Sequence, residues 1–168
     1  MNALIFAAGM GTRLAPLTNT TPKALVKLNG KPLIQHVLER IINAGFTHIV
    51  VNVHYLAEQI IQYVKENQFA ADIRISDESQ QLPDTAGGLR QAADLFPDRS
   101  PILLHNADIL SDLNLFDLYQ THIQQQNLAT LAVKQRQSSR YLWFTTEGRL
   151  CGWENTKNQQ KIEKSNYQ

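Results

Sequence analysis

The stretch Ala3-Leu4-Ile5-Phe6-Ala7-Ala8-Gly9-Met10-Gly11-Thr12-Arg13 runs from an unbroken apolar segment straight into a glycine-rich bend. An apolar run with no polar alternation is the pattern of a strand buried on both faces of a parallel sheet. Downstream, a loop passes through Pro16, Thr18, Asn19 and Pro22, and Asn29-Gly30 marks a turn. Pro32 suits the first position of a helix. Leu33, Ile34, Val37, Leu38, Ile41 and Ile42 then recur at helical spacing, and Gly45 stops the run. The alternation continues with strands expected at 48–53, 72–76, 101–105 and 128–133, and helices at 57–66, 88–96 and 115–126. Strand and helix taking turns imply parallel strands joined by crossover helices. The expected fold is therefore α/β, a doubly wound, mostly parallel Rossmann-like sheet. Beyond Val133, residues 140–146 and 149–153 flank Glu147-Gly148 as a C-terminal β-hairpin. From Asn155 onward only Ile162 and Tyr167 are large and apolar, so the expected organisation is one domain over 1–154 and a polar tail over 155–168.

Composition narrows the function classes. At 168 residues the chain has the length of about one domain. With 43% hydrophobic and 18% charged residues it is too apolar for disorder. Sixteen basic and fifteen acidic side chains leave a net charge of +1, which excludes the broad basic surface of a nucleic-acid binder. Any bound anion must then be held by local geometry. A lone cysteine, Cys151, excludes an internal disulfide and a Cys-rich zinc site. No apolar run approaches membrane-span length, and the amino terminus lacks the basic region of a signal peptide. The expected setting is cytoplasmic, with no membrane partner. His36, His48, His54, His105 and His122 show no metal-ligand spacing.

In an open α/β sheet, ligands bind outside the carboxyl ends of the strands. Three polar clusters fall there: the loop after the first strand, the loop before Gly88, and His105-Asn106-Ala107-Asp108. Gly9 and Gly11 remove side chains, so backbone N–H groups can approach a phosphate, or simply allow a tight turn. Arg13 adds a planar cation suited to phosphate oxygens, and Lys23 a second positive charge. The loop is not a P-loop, because no Gly-Lys-Ser/Thr follows. It is not the dinucleotide fingerprint either, since Leu14 replaces the third glycine and Asn52, His54 and Tyr55 stand where an acidic ribose ligand would be.

Taken together, Phe6-Ala7-Ala8-Gly9-Met10-Gly11-Thr12-Arg13-Leu14-Ala15-Pro16-Leu17-Thr18 with Thr21-Pro22-Lys23-Ala24-Leu25 resembles the motif of the sugar-phosphate nucleotidyltransferases. Gly30-Lys31-Pro32-Leu33-Ile34, Asp84-Thr85-Ala86-Gly87-Gly88-Leu89 and Asn106-Ala107-Asp108 are similar to the same family. The likeness covers about residues 1–153 and is greatest to the muramate-1-phosphate uridylyltransferase and mannose-1-phosphate guanylyltransferase branch. It implies the nucleotide-diphospho-sugar transferase type of sheet. It also implies transfer of a nucleoside monophosphate from an NTP, either UTP or GTP, to a sugar 1-phosphate, releasing pyrophosphate.

The resemblance further implies roles. Ala8, Gly9, Gly11 and Thr12 would cradle the triphosphate through their backbone, with Arg13 on the leaving pyrophosphate and Lys23 at the reacting phosphorus. Asp108 would hold Mg²⁺, so Arg13, Lys23 and Asp108 form the catalytic set. Ala86, Gly87 and Gly88 would lie along the base, whose edge Glu78 could read unless it is a solvated loop carboxylate. Asn106 would touch ribose or sugar phosphate or close an Asx turn. Arg140 could bind the acceptor phosphate or be an ordinary strand residue. Trp143 and Trp153 suit packing better than sugar stacking. The family usually has Gly where Ala107 stands, and it carries a second metal carboxylate that no residue here matches. The chain is thus expected to be part of a longer protein, and a non-catalytic nucleotide-sensing module is the alternative reading.

Overall fold

Side chains alternate faces along a strand, and the first strand buries both: Ala3 and Ile5 enter one apolar cluster and Leu4 another. That double burial explains the unbroken apolar run. The computed structural model describes residues 1–79 and 85–163. In chain order its elements are β1 (Asn2–Phe6), β2 (Lys27–Leu28), β3 (Lys31–Pro32), α1 (Leu33–Asn43), β4 (His48–Val53), α2 (Ala57–Glu66), β5 (Asp72–Asp77), α3 (Thr85–Ala92), β6 (Ile102–Asn106), α4 (Leu115–Gln125), β7 (Arg140–Phe144), β8 (Leu150–Asn155) and β9 (Gln160–Glu163). Short 3-10 turns occupy Thr12–Leu14, Leu17–Asn19, Lys23–Leu25 and Ala93–Leu95. The chain divides into two compact units, Met1–Thr130 and Leu131–Gln168.

The first unit is built on a parallel sheet of order β5-β4-β1-β6. Val, Ile and Leu dominate its strands because branched side chains pack well on a pleated surface. α1, α2 and α4 cover one face, burying Ile34, Val37, Leu38, Ile41, Ala57, Ile60 and Leu115 against Ala3, Ile5, Ile49 and Val51. Phe46 and Tyr119 meet edge to face there, with ring centroids 5.5 Å apart. α3 covers the other face, where Ala92 and Phe96 pack with Leu4 and Val50. Helices on both faces make the doubly wound α/β fold that the alternation predicts.

Two local expectations change, and the turn expected at Asn29-Gly30 forms. The helix expected over 88–96 begins at Thr85 and tightens to a 3-10 turn at Ala93. Asn29 and Gly30, with φ of 51° and 80°, close a two-residue hairpin between β2 and β3. The strand expected at 128–133 does not form. Leu128 is fully exposed and Val133 is 60% exposed, and no described strand offers that run the hydrogen-bond ladder a strand needs. Among the described residues, no helix is long and apolar enough to cross a membrane.

The second unit is an antiparallel sheet of order β7-β8-β9. Its expected hairpin turns at Glu147-Gly148, where Gly148 has φ 79° and donates its N–H to the Thr145 carbonyl at 3.0 Å. The segment expected as a polar tail supplies β9, whose Ile162 pairs with Trp153. The Lys161 ammonium lies 4.1 Å from the Trp143 ring centroid, so this tryptophan packs within its own sheet.

Ser76, the register partner of Asn52 on β5, has its Oγ buried with no hydrogen-bond partner among the described residues. A buried hydroxyl left unbonded is costly. Ser76→Ala is expected to stabilise the protein by about 1 kcal/mol in urea unfolding, on the scale of that cost. A loss of stability would show that the hydroxyl is satisfied.

Candidate functional site

Because the strands of the main sheet are parallel, their carboxyl ends share one rim. Phe6 at the end of β1 is in register with Asn52 of β4 on one side and Asn106 of β6 on the other. β4 and β5 are reached by winding one way from β1 and β6 by winding the other, so the winding reverses between β1 and β6. Open α/β sheets take their ligands at such a switch point.

The glycine bend leaves β1 at this point. Ala7 and Ala8 are buried and Gly9 is exposed. Gly11 sits at φ +66°, and a Cβ there would lie 2.9 Å from Thr18 Cγ2 and 3.0 Å from Lys23 Cβ. Its bare Cα therefore serves two needs: a left-handed backbone and the close approach of the Lys23 segment. Thr18, itself buried, donates its hydroxyl to the Gly11 carbonyl at 2.9 Å and holds that approach. At Gly9 an added Cβ would meet nothing within 4 Å. Thr12 and Arg13 follow on an exposed 3-10 turn, and Arg13 has no hydrogen bond or ion pair with any described residue.

Lys23 opens the 3-10 turn after Pro22. Asp108 follows β6, whose exit is held by the Ala107 N–H donating to the Phe6 carbonyl at 3.0 Å. The Lys23 ammonium donates to Asp108 Oδ2, an ion pair between residues 85 positions apart in the chain. The two side chains are 25% and 35% exposed. A partly solvated pair of this kind contributes about 0–1 kcal/mol, so it is a weak tie. Asn106 is exposed on the same rim, whereas Ala107 turns its methyl into the core. The extra carbon relative to the family's usual glycine thus points away from Asp108.

Glu78 and the glycine pair lie differently from a solvated loop. Glu78 is only 2% exposed, and its Oε1 accepts from Asn52 Nδ2 at 3.1 Å. Burial pushes its carboxyl up from the ordinary value of 4.5, against the Asn52 hydrogen bond and the nearby His54. His54 Nδ1 lies 2.7 Å from the Glu78 carbonyl. Ala86, Gly87 and Gly88 fall in the first turn of α3 rather than in a loop. Gly88 is buried, and a Cβ there would lie 2.9 Å from Glu78 Oε1 and 3.1 Å from Asn52 Nδ2. Residues 80–84 of this segment, Asp84 among them, lie outside the described residues. Arg140 opens β7 in the second unit, exposed and paired with Asn155. Its backbone N–H donates to Ser138 Oγ at 3.1 Å.

Two residues at this rim escape the sequence reading, Asn52 and Thr18. Asn52 carries a legible signal: it is the one polar residue in Ile49-Val50-Val51-Asn52-Val53, and a polar group in a buried strand must find a partner. Thr18 carries none, because its partner is a backbone carbonyl seven residues away.

A family model described as nucleotidyl transferase matches residues 2–149. The chain belongs to the nucleotidyl transferase family. It is 42% identical over 122 residues to N-acetylmuramate alpha-1-phosphate uridylyltransferase of Neisseria meningitidis, covering 72% of this chain and 52% of that protein. It is 37% identical over 145 residues to mannose-1-phosphate guanyltransferase of Saccharomyces cerevisiae, covering 84% and 40% respectively. Among solved structures, CTP:phosphocholine cytidylyltransferase from Streptococcus pneumoniae superposes with a TM-score of 0.55 at 35% identity over 68% of this chain and 48% of that one. HddC from Yersinia pseudotuberculosis gives a TM-score of 0.70 at 20% identity, over 95% and 71%, which establishes the shared fold. The chain spans about half the length of the curated relatives it matches, or less.

The two glycines of the bend should separate by assay. Gly11→Ala is expected to lose about 1–3 kcal/mol of stability, the cost of a left-handed non-glycine backbone plus the clash. Gly9→Ala should leave the urea midpoint unchanged. Equal midpoints for both variants would contradict the placement of Gly11. Glu78 makes a pH-dependent case. Since its folded pKa is raised, the stability associated with its proton is complete below the ordinary carboxyl range and lost as pH rises through the raised value. Glu78→Gln, which still accepts from Asn52, should therefore stabilise the protein at neutral pH, with the gain vanishing below 4.5. A gain that does not vary with pH would contradict a buried, titrating carboxyl.

Proposed function

We propose that this chain carries the nucleotide-handling half of a sugar-1-phosphate nucleotidyltransferase, transferring a nucleoside monophosphate from an NTP to a sugar 1-phosphate. The observation that carries the reading is the Lys23–Asp108 pair beside the glycine bend at the switch point. Family membership and the transferase relatives support the enzymatic reading over the sensing alternative.

The reaction sets two demands. A sugar-phosphate oxygen attacks the α-phosphorus in line and forms a new P–O bond. The bond to the β-phosphate oxygen breaks, and its electrons leave with pyrophosphate. Two anions are pressed together while charge shifts to the leaving group, so positioning and charge neutralisation dominate. The backbone from Ala8 to Arg13, opened by Gly9 and Gly11, would receive the triphosphate. Lys23, released from Asp108, would neutralise oxygens at the α-phosphorus, and the Arg13 guanidinium, unpaired among the described residues, would take the pyrophosphate. Thr12 would form part of the same backbone cradle. Ala86, Gly87 and Gly88 at the start of α3 would border the base. Asn106 would reach ribose or the sugar phosphate. The nucleotide is UTP or GTP on the pattern of the relatives.

The residues fit a magnesium ion. Mg²⁺ takes one or two carboxylates and fills its shell with phosphate oxygens and water. Asp108 offers one partly exposed carboxylate, and no cluster of three or more His, Cys, Asp or Glu side chains exists among the described residues. Asp108 would hold the ion only together with the nucleotide's phosphates. When bound, it would supply charge neutralisation at the phosphate oxygens.

The test is pyrophosphate release by the native protein from each NTP with a panel of sugar 1-phosphates and Mg²⁺. At least one pair should turn over, and Lys23→Ala or Asp108→Asn should each lower kcat by about 10²–10³, the usual effect of removing one charge-stabilising group. A folded protein that turns over no pair rules out the enzyme reading.

A further inference from the structure

We infer that Asn52 is a positioning residue of the nucleotide site: oriented by Glu78, its amide fixes the backbone where β1 enters the glycine bend and ties that bend to the first turn of α3. The inference rests on the nucleotide-binding reading given above.

The argument starts from what a buried amide requires. Asn52 is 3% exposed in a strand whose other inward residues are aliphatic. An amide in such surroundings must spend its oxygen and its nitrogen on partners. One face of the amide lies 2.8 Å from the Ala7 nitrogen. A backbone N–H can only donate, so the atom facing it is the side-chain oxygen, and the NH₂ group is turned toward Glu78. There it donates to Oε1 at 3.1 Å. A carboxyl accepts through one oxygen whether or not it carries a proton, so the contact persists in either state.

Ala7 is the first residue after β1, two before Gly9. Its N–H is shared between Asn52 Oδ1 at 2.8 Å and the Asn52 backbone carbonyl at 3.2 Å. Removing the amide leaves only the longer bond at the point where the chain leaves the sheet for the bend. The third element is α3. Gly88 brings its backbone so close that a Cβ would lie 2.9 Å from Glu78 Oε1 and 3.1 Å from Asn52 Nδ2. The ends of β1, β4 and β5 and the start of α3 thus converge on one amide, in a buried setting where hydrogen bonds are strong and unpaired groups costly. This gives Glu78 a role that its burial explains: it orients Asn52. It also gives Gly88 one, since a side chain there would displace the pair.

Among the described residues, the charged groups around the pair are few. His54 contacts the Glu78 backbone from the exit of β4, Asp77 precedes Glu78 on β5, β1 has no charged residue, and α3 carries only Arg90. A carboxyl introduced at position 52 would therefore respond chiefly to Glu78.

The experiment measures binding of an NTP and of inorganic tripolyphosphate, each with Mg²⁺, to wild type, Asn52→Leu and Asn52→Asp, at temperatures where melting curves show every protein folded. Tripolyphosphate reports on the phosphate loop without a base. Asn52→Leu keeps the γ-branched shape and removes both hydrogen bonds, so it should weaken both probes by about tenfold, the scale of one lost buried bond. Asn52→Asp supplies the rescue. Protonated, it accepts from Ala7 and donates to Glu78; ionised, it faces a second carboxylate. Its affinity should approach wild type near about pH 5 and fall progressively toward about pH 8. Should Asn52→Leu fail to fold, the Asn52→Asp profile decides alone. The inference is overturned if both probes bind the variants as wild type does, or if Asn52→Leu weakens the NTP but not tripolyphosphate. It is also overturned if the ratio of Asn52→Asp to wild type stays flat with pH. A wild-type protein that binds neither probe overturns the nucleotide-binding reading along with it.

Discussion

β1 is held between two parallel neighbours that the chain reaches by winding in opposite directions, and everything proposed for this protein depends on that placement. Parallel pairing forces the carboxyl ends of β4, β1 and β6 onto one rim. Reversal of the winding then leaves a gap between the helical layers, because α1 and α2 lie on one face and α3 on the other. Into that gap the chain delivers a glycine bend from β1 and a carboxylate from β6. The ion pair between Lys23 and Asp108 marks where the two meet. It is weak, as a partly solvated pair must be. That weakness suits a site whose ligands would need both charges.

The glycines of the site answer different constraints. Gly11 is required by its own backbone and by the proximity of Thr18 and Lys23. Gly9 has open space where a side chain would be, so neither packing nor a left-handed backbone requires a glycine there. Gly88 is bare because Asn52 and Glu78 lie against it. Three positions of one residue type thus differ: one meets a backbone constraint, one stands in open space, and one packs against a buried polar pair. Treating them as one phosphate-binding motif would miss the third altogether.

Much of the fold is legible in local sequence. The double-faced burial of β1 appears as an unbroken apolar run, and α2 and β4 take the bounds that periodicity predicts. The run at 128–133 fails for a physical reason. Its apolar pattern is that of a strand, but a strand exists only with a neighbour's ladder, and Leu128 is left in solvent. Residues 160–163 err the other way: polar and unpromising alone, they become β9 because β8 offers an edge. At the site, the positions of Arg13, Lys23 and Asp108 are readable from the motif. The burial of Glu78 is not, since it depends on where α3 lies.

By itself, then, the amino-acid order determined the strand–helix alternation, the bend after β1 and the identity of the charged groups available to hold an anion. These follow from side-chain chemistry and near-neighbour spacing. Only the tertiary structure decided that Lys23 meets Asp108 across 85 residues, that the Ala107 methyl turns inward, and that Asn52 links Ala7 to Glu78 beneath Gly88. Such contacts arise from the packing of distant strands and helices, and the separation in sequence carries no record of them.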